Sequence, residues 1–292
     1  MSKRESRYHN NRRTTVITVI AVIFVLALFV RQELSNKSIQ AEIPGGVCEF
    51  HFVDVGQGDC SLFVTEDSAV LIDAGPKSAG EQTADYVSQH TDTIEYFILT
   101  HPDEDHIGGA VSVINSVKVD NIIMSDAVKD TYVFNSLLDA IENSEINIIK
   151  AVPGSEYRAG EMKMAVLAPI GEFDDYNNYS VVTRIEYGAT SAIVTGDAEK
   201  GSEKLMTEKY GSALRSDVLK LAHHGSSTST GEEFFRAVSP RYAVISCGKD
   251  NSYGHPHGET LELLNKYGVK YSRTDLEGSI VFVSDGENVT RR

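Results

Sequence analysis

"THPDEDHIGG", residues 100–109, follows directly on the apolar run Tyr96-Phe97-Ile98-Leu99. It carries His101, Asp103, Asp105 and His106, with Pro102 and Glu104 in the gaps and Gly108-Gly109 at its end. An acidic stretch ahead of a helix has an ordinary explanation, because carboxylates near a helix N-terminus are stabilising. Capping does not call for imidazole alternating with carboxylate. Imidazole and carboxylate without thiolate form a ligand mixture suited to Zn, Fe or Mn. A loop of this kind needs partners from elsewhere in the chain.

The partners share one context. Asp73 ends the apolar run "SAVLIDAG", and Asp197 ends "YSVVTRIEYGATSAIVTGD", which reads as a hairpin turned at Gly188. His223-His224 follow "SDVLKLA", and His255 and His257 come after "RYAVISCG". "VCEFHFVDV" alternates with period two and reads as a strand, followed by "CSLFV", "IEYFILT", "VDNIIMS", "INIIKAV", "KMAVLAP" and a closing "GSIVFVS". Helical patterns fall at 80–90, at "HIGGAVSVINS", and near 131–142 and 199–209, with later ones at "GEEFFRAV" and after "GHPH". Two successive halves of β and α character predict an α/β fold, a four-layer αββα sandwich with two facing sheets and helices outside. Strand ends then gather at one edge, where ligands distant in sequence converge.

These motifs together resemble those of the metallo-β-lactamase superfamily. "THPDEDHIGG" is similar to its HxHxDH motif, with Asp103 in place of the second His, and "LIDAG" and "VTGD" resemble two further motifs. "DVGQGDCSLFV", "HHGSSTS" and "SYGHPH" are similar to the metallo-β-lactamase-like domain of the ComEC competence proteins, over about residues 47–284. The resemblance implies the αββα fold and a binuclear metallohydrolase. It puts His101, Asp103 and a bridging Asp197 on one metal, and Asp105, His106, Asp197 and His255 on the second. Asp73 orients a ligand from behind. Many members complete the first site with a His upstream of the bridging Asp, where this chain has Asn177 and Asn178. With Asn178 as a weak oxygen ligand and Asp103 as another oxygen donor, the first site favours Mn²⁺ or a loosely held Zn²⁺. One or two divalent metals per chain are expected.

The catalytic expectation combines Asp105 with His223 and His224. The histidines precede "GSSTST", whose small residues allow close backbone approach to an anion. The pair is expected to contact the substrate phosphate or carbonyl, with metal ligation by His223 as the alternative. His257 reads as a helix-start residue and "GQGD" as a tight turn, with Asp59 a candidate to face the site. No G-x-S-x-G nucleophile elbow is present.

Composition narrows the partners. The chain has 292 residues and a formal charge of −15, while residues 1–13 are basic. The remainder is more acidic still and has no general attraction for nucleic acid. Three cysteines, Cys48, Cys60 and Cys247, form no CxxC pair. That excludes a disulfide-dense scaffold and a thiolate zinc ribbon, and buried free thiols are expected.

Residues 14–30, "TTVITVIAVIFVLALFV", hold no charge and reach the lower limit for a membrane span. Arg12 and Arg13 before it put residues 1–13 in the cytoplasm and everything beyond 31 outside. The expected order is a basic tail at 1–13, an uncleaved anchor at 14–30, a linker at 31–46 and a hydrolase domain at 47–292.

The expected function is a cell-membrane, single-pass, metal-dependent hydrolase with its C-terminal domain extracellular. A phosphodiesterase of nuclease type, using a metal-activated hydroxide, leads. Its substrate is a phosphodiester, in DNA or a cell-wall polymer. A teichoic-acid phosphorylcholine esterase or a β-lactamase-like hydrolase is the alternative, and a metal-binding scaffold module the non-enzymatic one.

Overall fold

The computed structural model describes residues 43–292, so the expected tail, the anchor at 14–30 and most of the linker lie outside the described residues. Among the described residues no helix is long and apolar enough to cross a membrane. Strands β1 (Cys48–Phe52), β2 (Ser61–Val64), β3 (Ala69–Ile72), β4 (Thr93–Leu99), β5 (Lys118–Met124) and β6 (Asn147–Lys150) belong to the first sheet. The second sheet holds β7 (Glu156–Ala159), β8 (Met162–Ala168), β9 (Val182–Tyr187), β10 (Thr190–Val194), β11 (Val218–Lys220), β12 (Tyr242–Ile245) and β13 (Lys270–Arg273). The chain then returns to the first sheet through β14 (Ile280–Ser284) and β15 (Val289–Arg291). The orders are β15-β14-β1-β2-β3-β4-β5-β6 and β13-β12-β11-β10-β9-β8-β7.

Period-two alternation explains the layers. In β4, Phe97 and Leu99 face an outer helical layer, while Ile98 between them faces the other sheet. In β10, Ile193 faces outward and Ala192 and Val194 inward; in β12, Val244 faces inward between Ala243 and Ile245. The inter-sheet core is rich in phenylalanine. Phe50 and Phe63 lie 5.1 Å apart, and Phe52 meets Phe282 edge-on at 6.2 Å. Truncating one of these to alanine costs roughly 3–5 kcal/mol.

Helices Gly80–Ser88, Ala110–Ser116 and Tyr132–Glu142 cover the first sheet, contributing Val87, Val113 and Leu137 to its outer core. Helices Lys200–Tyr210, Glu232–Val238 and Gly258–Tyr267 cover the second with Met206, Phe235 and Leu264. The αββα sandwich expected from the sequence is therefore present.

Local departures have physical causes. "HIGGAVSVINS" forms two helical pieces, Glu104–Ile107 and Ala110–Ser116. The glycines between them pack against the turn after β3: a Cβ on Gly108 would lie 2.2 Å from Lys77 N, and one on Gly109 2.3 Å from Ala74 O. The strand expected to run into the paired histidines stops at Lys220, and a short turn over Ala222–Gly225 carries them. Strands β7, β13 and β15, unexpected from the sequence, all lie at sheet edges. All three cysteines are free and buried.

Glu203 ties the Lys200–Tyr210 helix to the loop that carries His223 and His224. Its carboxylate accepts the N–H groups of Thr230 and Gly231, at 2.6 and 2.7 Å, at the start of the Glu232–Val238 helix. Burial raises this carboxyl to about 7, with the two N–H donors and Lys200 pulling the other way. A carboxyl raised in the folded state adds stability that is fully present below its unfolded value, near 4.5, and lost as pH rises through about 7. Denaturant unfolding at pH 5 and pH 8 should show this loss, on the order of 2 kcal/mol. Glu203→Gln should flatten the pH slope, and equal slopes in the two proteins would contradict this account.

Candidate metal centre

Five loops bring the candidate residues to one edge. β3 and β4 are parallel neighbours, as are β10, β11 and β12, so the loops after them open at the C-terminal ends of their strands. Asp73 leaves β3 with φ 57°, a left-handed conformation uncommon outside glycine. Its side chain accounts for the strain. Thr100 N–H donates to Oδ1 at 2.8 Å, and the Thr100 hydroxyl and His106 Nδ1 both meet Oδ2 at 2.7 Å. With Nδ1–H committed to Asp73, Nε2 is the His106 atom turned to the site.

His223 and His224 are both left-handed, at φ 50° and 54°, which sends the adjacent rings in different directions. His224 is buried and His223 is at the mouth. His224 Nδ1 donates to the Ser246 carbonyl at 3.0 Å and lies 3.2 Å from Asp59 Oδ1. Its Nε2 faces Asp105 Oδ2 at 3.2 Å.

Asp197, after β10, stands between two sets of imidazoles. Its Oδ1 lies 3.1 Å from His106 Nε2 and 3.7 Å from His224 Nε2. Its Oδ2 lies 3.9 Å from His101 Nε2 and 3.7 Å from His223 Nε2. His101 Nε2 is also 4.0 Å from Asp103 Oδ2.

The donor set fits a divalent cation. Asp197 Oδ1, His101 Nε2 and His106 Nε2 are buried without a hydrogen-bond partner, although buried polar atoms are normally paired. The triads His101–His106–Asp197, Asp105–His106–His224 and Asp59–Asp197–His224 each bring their ligand atoms within 4.8 Å of one another. Asp59, Asp73 and His106 form a fourth close group.

Electrostatics agree with this fit. Burial opposes charge on His224, but Asp197 and Asp59 raise it to about 9. Burial is likewise outweighed at His106, which Asp197, Asp73 and Asp105 raise well above the ordinary imidazole range. His101 is pushed down to about 4 by burial and by His106. Asp197 sits well below the usual carboxylate range, because His106 and His224 outweigh its burial. Protons therefore occupy positions that a cation can take over.

Several expected roles change. His255 belongs to none of the close donor groups among the described residues; its ring packs 5.5 Å from His223 and stacks on Tyr253 at 5.6 Å. The inner position is filled by His224, expected to be a substrate contact. Asn178 is committed elsewhere: Oδ1 accepts from Glu199 N and Ser202 N at the start of the Lys200–Tyr210 helix, and Nδ2 donates to Asp175. No donor group remains on it for a metal. Asp103, expected as a ligand, likewise belongs to none of the close donor groups among the described residues and stands at the rim, with Oδ1 accepting from Lys129 Nζ at 2.7 Å.

His257 caps the Gly258–Tyr267 helix, with Ser227 N–H donating to its Nδ1 at 2.9 Å. Thr100, Lys129, Glu199 and Lys220 had not been singled out. Lys220 was detectable as a lone charge inside the apolar run "VLKLA".

The sequence matches the metallo-β-lactamase superfamily model over residues 53–249. The chain belongs to the metallo-β-lactamase superfamily. ComE operon protein 3 of Bacillus subtilis is 32% identical over 307 aligned residues, covering 90% of this chain and 38% of that protein. Recombination protein 2 of Haemophilus influenzae is 27% identical, covering 90% of this chain and 31% of that protein. The chain thus spans about a third of the length of these relatives. The fold also matches Igni18, a metallo hydrolase of Ignicoccus hospitalis, with a TM-score of 0.53 and 15% identity over 81% of this chain and 98% of that one. The expectation of a metal-dependent hydrolase of this superfamily stands at that level.

Because His224 and His106 hold protons that a metal must displace, uptake should release protons. Affinity for Zn²⁺ should rise with pH up to about 9, where His224 loses its proton unaided. Calorimetric titrations at pH 7 in buffers of different ionisation enthalpy check this. A heat independent of the buffer would contradict it.

Proposed function

We propose that this domain is a metal-dependent phosphodiesterase acting on a polymeric phosphodiester. The observation that carries the reading is the divided environment of Asp197, with each carboxylate oxygen facing a different pair of imidazoles. In this reading Asp105, His106 and His224 hold one divalent metal with Asp197 Oδ1. His101 and Asp103 hold a second with Oδ2. A metal bound there lowers the pKa of a water and stabilises charge on phosphoryl oxygens. We favour Zn²⁺ or Mn²⁺ for this mixture of imidazole and carboxylate.

The chain's own residues supply the rest. Asp73 and Thr100 fix His106, and the Ser246 carbonyl fixes His224. His223, with Nδ1 3.2 Å from the Thr228 hydroxyl and 3.4 Å from Glu199 Oε1, is the donor to the substrate phosphate or the leaving oxygen. His255 and the exposed Tyr253 form the wall beside it. Lys129, beside Asp103 and 5.4 Å from the Tyr176 ring, adds positive charge at the rim of an acidic protein. No protein nucleophile is needed, and burial pushes the Cys60 thiol far up. The name of one relative, recombination protein 2, favours DNA over a cell-wall polymer as substrate. Residues 14–30 anchor the domain, which faces the exterior in this reading.

Turnover of bis-p-nitrophenyl phosphate, together with metal analysis, tests the assignment. Asp197→Ala should lose activity and metal together, and His224→Ala should lose metal. His223→Ala should keep metal while its rate falls by a factor of about 10²–10³, the scale for one donor that stabilises developing charge. Loss of metal in His255→Ala but not in His224→Ala would reverse the ligand assignment.

The anchor has its own test. Protease added to intact cells should remove the domain from the membrane fraction. Protection until the cells are lysed would refute the orientation.

A further inference from the structure

Beside the metal centre lies a buried ion pair that the proposed chemistry does not use. Lys220, the last residue of β11, is fully buried, and its Nζ bonds Asp59 Oδ2. Burying an ammonium and a carboxylate costs several kcal/mol per ion before their attraction is counted, and apolar replacements are often neutral or better. A plug between two sheets does not require charge. The surroundings of Asp59 suggest why charge is present.

Its second oxygen, Oδ1, is buried 3.2 Å from His224 Nδ1 and has no hydrogen-bond partner among the described residues, Nδ1–H being given to the Ser246 carbonyl. Its Oδ2 is 3.9 Å from His106 Nδ1. Asp59 therefore faces the Nδ1 atoms of both inner imidazoles, with a carboxylate oxygen also within 4.8 Å of Asp197. The backbone ties it to the same loops: Asp59 N–H donates to the Asp105 carbonyl at 3.1 Å, and Gly75 N–H donates to the Asp59 carbonyl at 2.8 Å. A Cβ at Gly58 would lie 2.3 Å from Asp105 O, so the turn before Asp59 has no room for a side chain.

We infer that Asp59 is a positioning residue for His224, with Lys220 as its fixed counter-ion. The Asp59 charge beside Nδ1 favours the tautomer with its proton there, bonded to the Ser246 carbonyl, and so directs Nε2 between Asp105 and Asp197. It also makes the imidazole a stronger donor to metal, as a carboxylate behind a ligand histidine does. Lys220 turns the carboxylate and keeps it anionic in a buried position. The arrangement parallels Asp73 behind His106, but the carboxylate comes from the β1–β2 turn and its cation from the other sheet. The rival is that the Ser246 carbonyl alone orients His224 and that the ion pair is packing.

This inference rests on the metal-binding reading above, and the test separates the two. The full-length chain in detergent is depleted of metal and titrated with Zn²⁺ against a fluorescent chelator. Far-UV circular dichroism and melting follow the fold. If the unaltered chain takes up no Zn²⁺, the metal-binding reading fails, and this inference with it. If it does, Asp59→Asn combined with Lys220→Met should keep the fold and bind Zn²⁺ about 10–100-fold more weakly, the scale for losing such a partner. Asp59→Leu with Lys220→Met, an apolar pair, should behave in the same way. Unchanged affinity in either folded variant would overturn the inference while leaving the metal site intact. Failure of both variants to fold would assign the pair to packing and overturn it equally.

Discussion

The centre is organised by the need to satisfy one buried carboxylate. Asp197 is almost fully enclosed, and four imidazole nitrogens approach its two oxygens from two sides. Isolated buried charge is costly, so it must be matched by protons or by a cation. Without a cation the proton load falls on His106 and His224, which rise for that reason. The same histidines have their outer nitrogens held by Asp73 and Ser246, so rotation cannot relieve the crowding. The site is thus rigid, charged and short of partners, a state that a divalent metal relieves.

The sandwich makes this crowding affordable in stability terms. Each sheet closes an apolar layer of its own before either contributes a loop to the edge. Parallel pairing of β3 with β4, and of β10 with β11 and β12, aligns the strand ends that release Asp73, the 101–106 loop, Asp197 and the paired histidines. Of the six left-handed non-glycine residues among the described residues, three, Asp73, His223 and His224, lie at those ends. Strained backbone at such positions persists only where the surroundings over-determine it. Here the bonds from Asp73 to Thr100 and His106 supply that restraint.

The legible part of the sequence was the part governed by periodicity and by strand ends. Alternating apolar runs marked the inner strands, and Asp73, His101, Asp105, His106 and Asp197 stood where such runs stop. That His224 rather than His255 stands in the close donor groups was not legible, because spacing does not reveal the backbone hand at 223–224 that turns one ring inward and the other to the mouth. Asn178 looked like an oxygen donor, but Asp175 and the start of the Lys200–Tyr210 helix consume its carboxamide. Lys220 shows in the sequence only as a lone charge in "VLKLA", and its burial follows from a strand interior to its sheet. Edge strands β7, β13 and β15 carry short, mixed patterns, because a strand at an edge needs less apolar surface.

The central claim is that Asp197 is shared between two cation positions. Anomalous diffraction from crystals grown with Zn²⁺, collected on both sides of the zinc absorption edge, tests it directly. The account predicts two peaks about 3.5–4 Å apart flanking the Asp197 carboxylate, the spacing of two-metal hydrolytic sites. The peak on the Asp105–His106–His224 side should be the stronger, since Lys129 already occupies one oxygen of Asp103 on the other side. Peaks that avoid Asp197, or a metal held by His255 with His224 turned away, would contradict it.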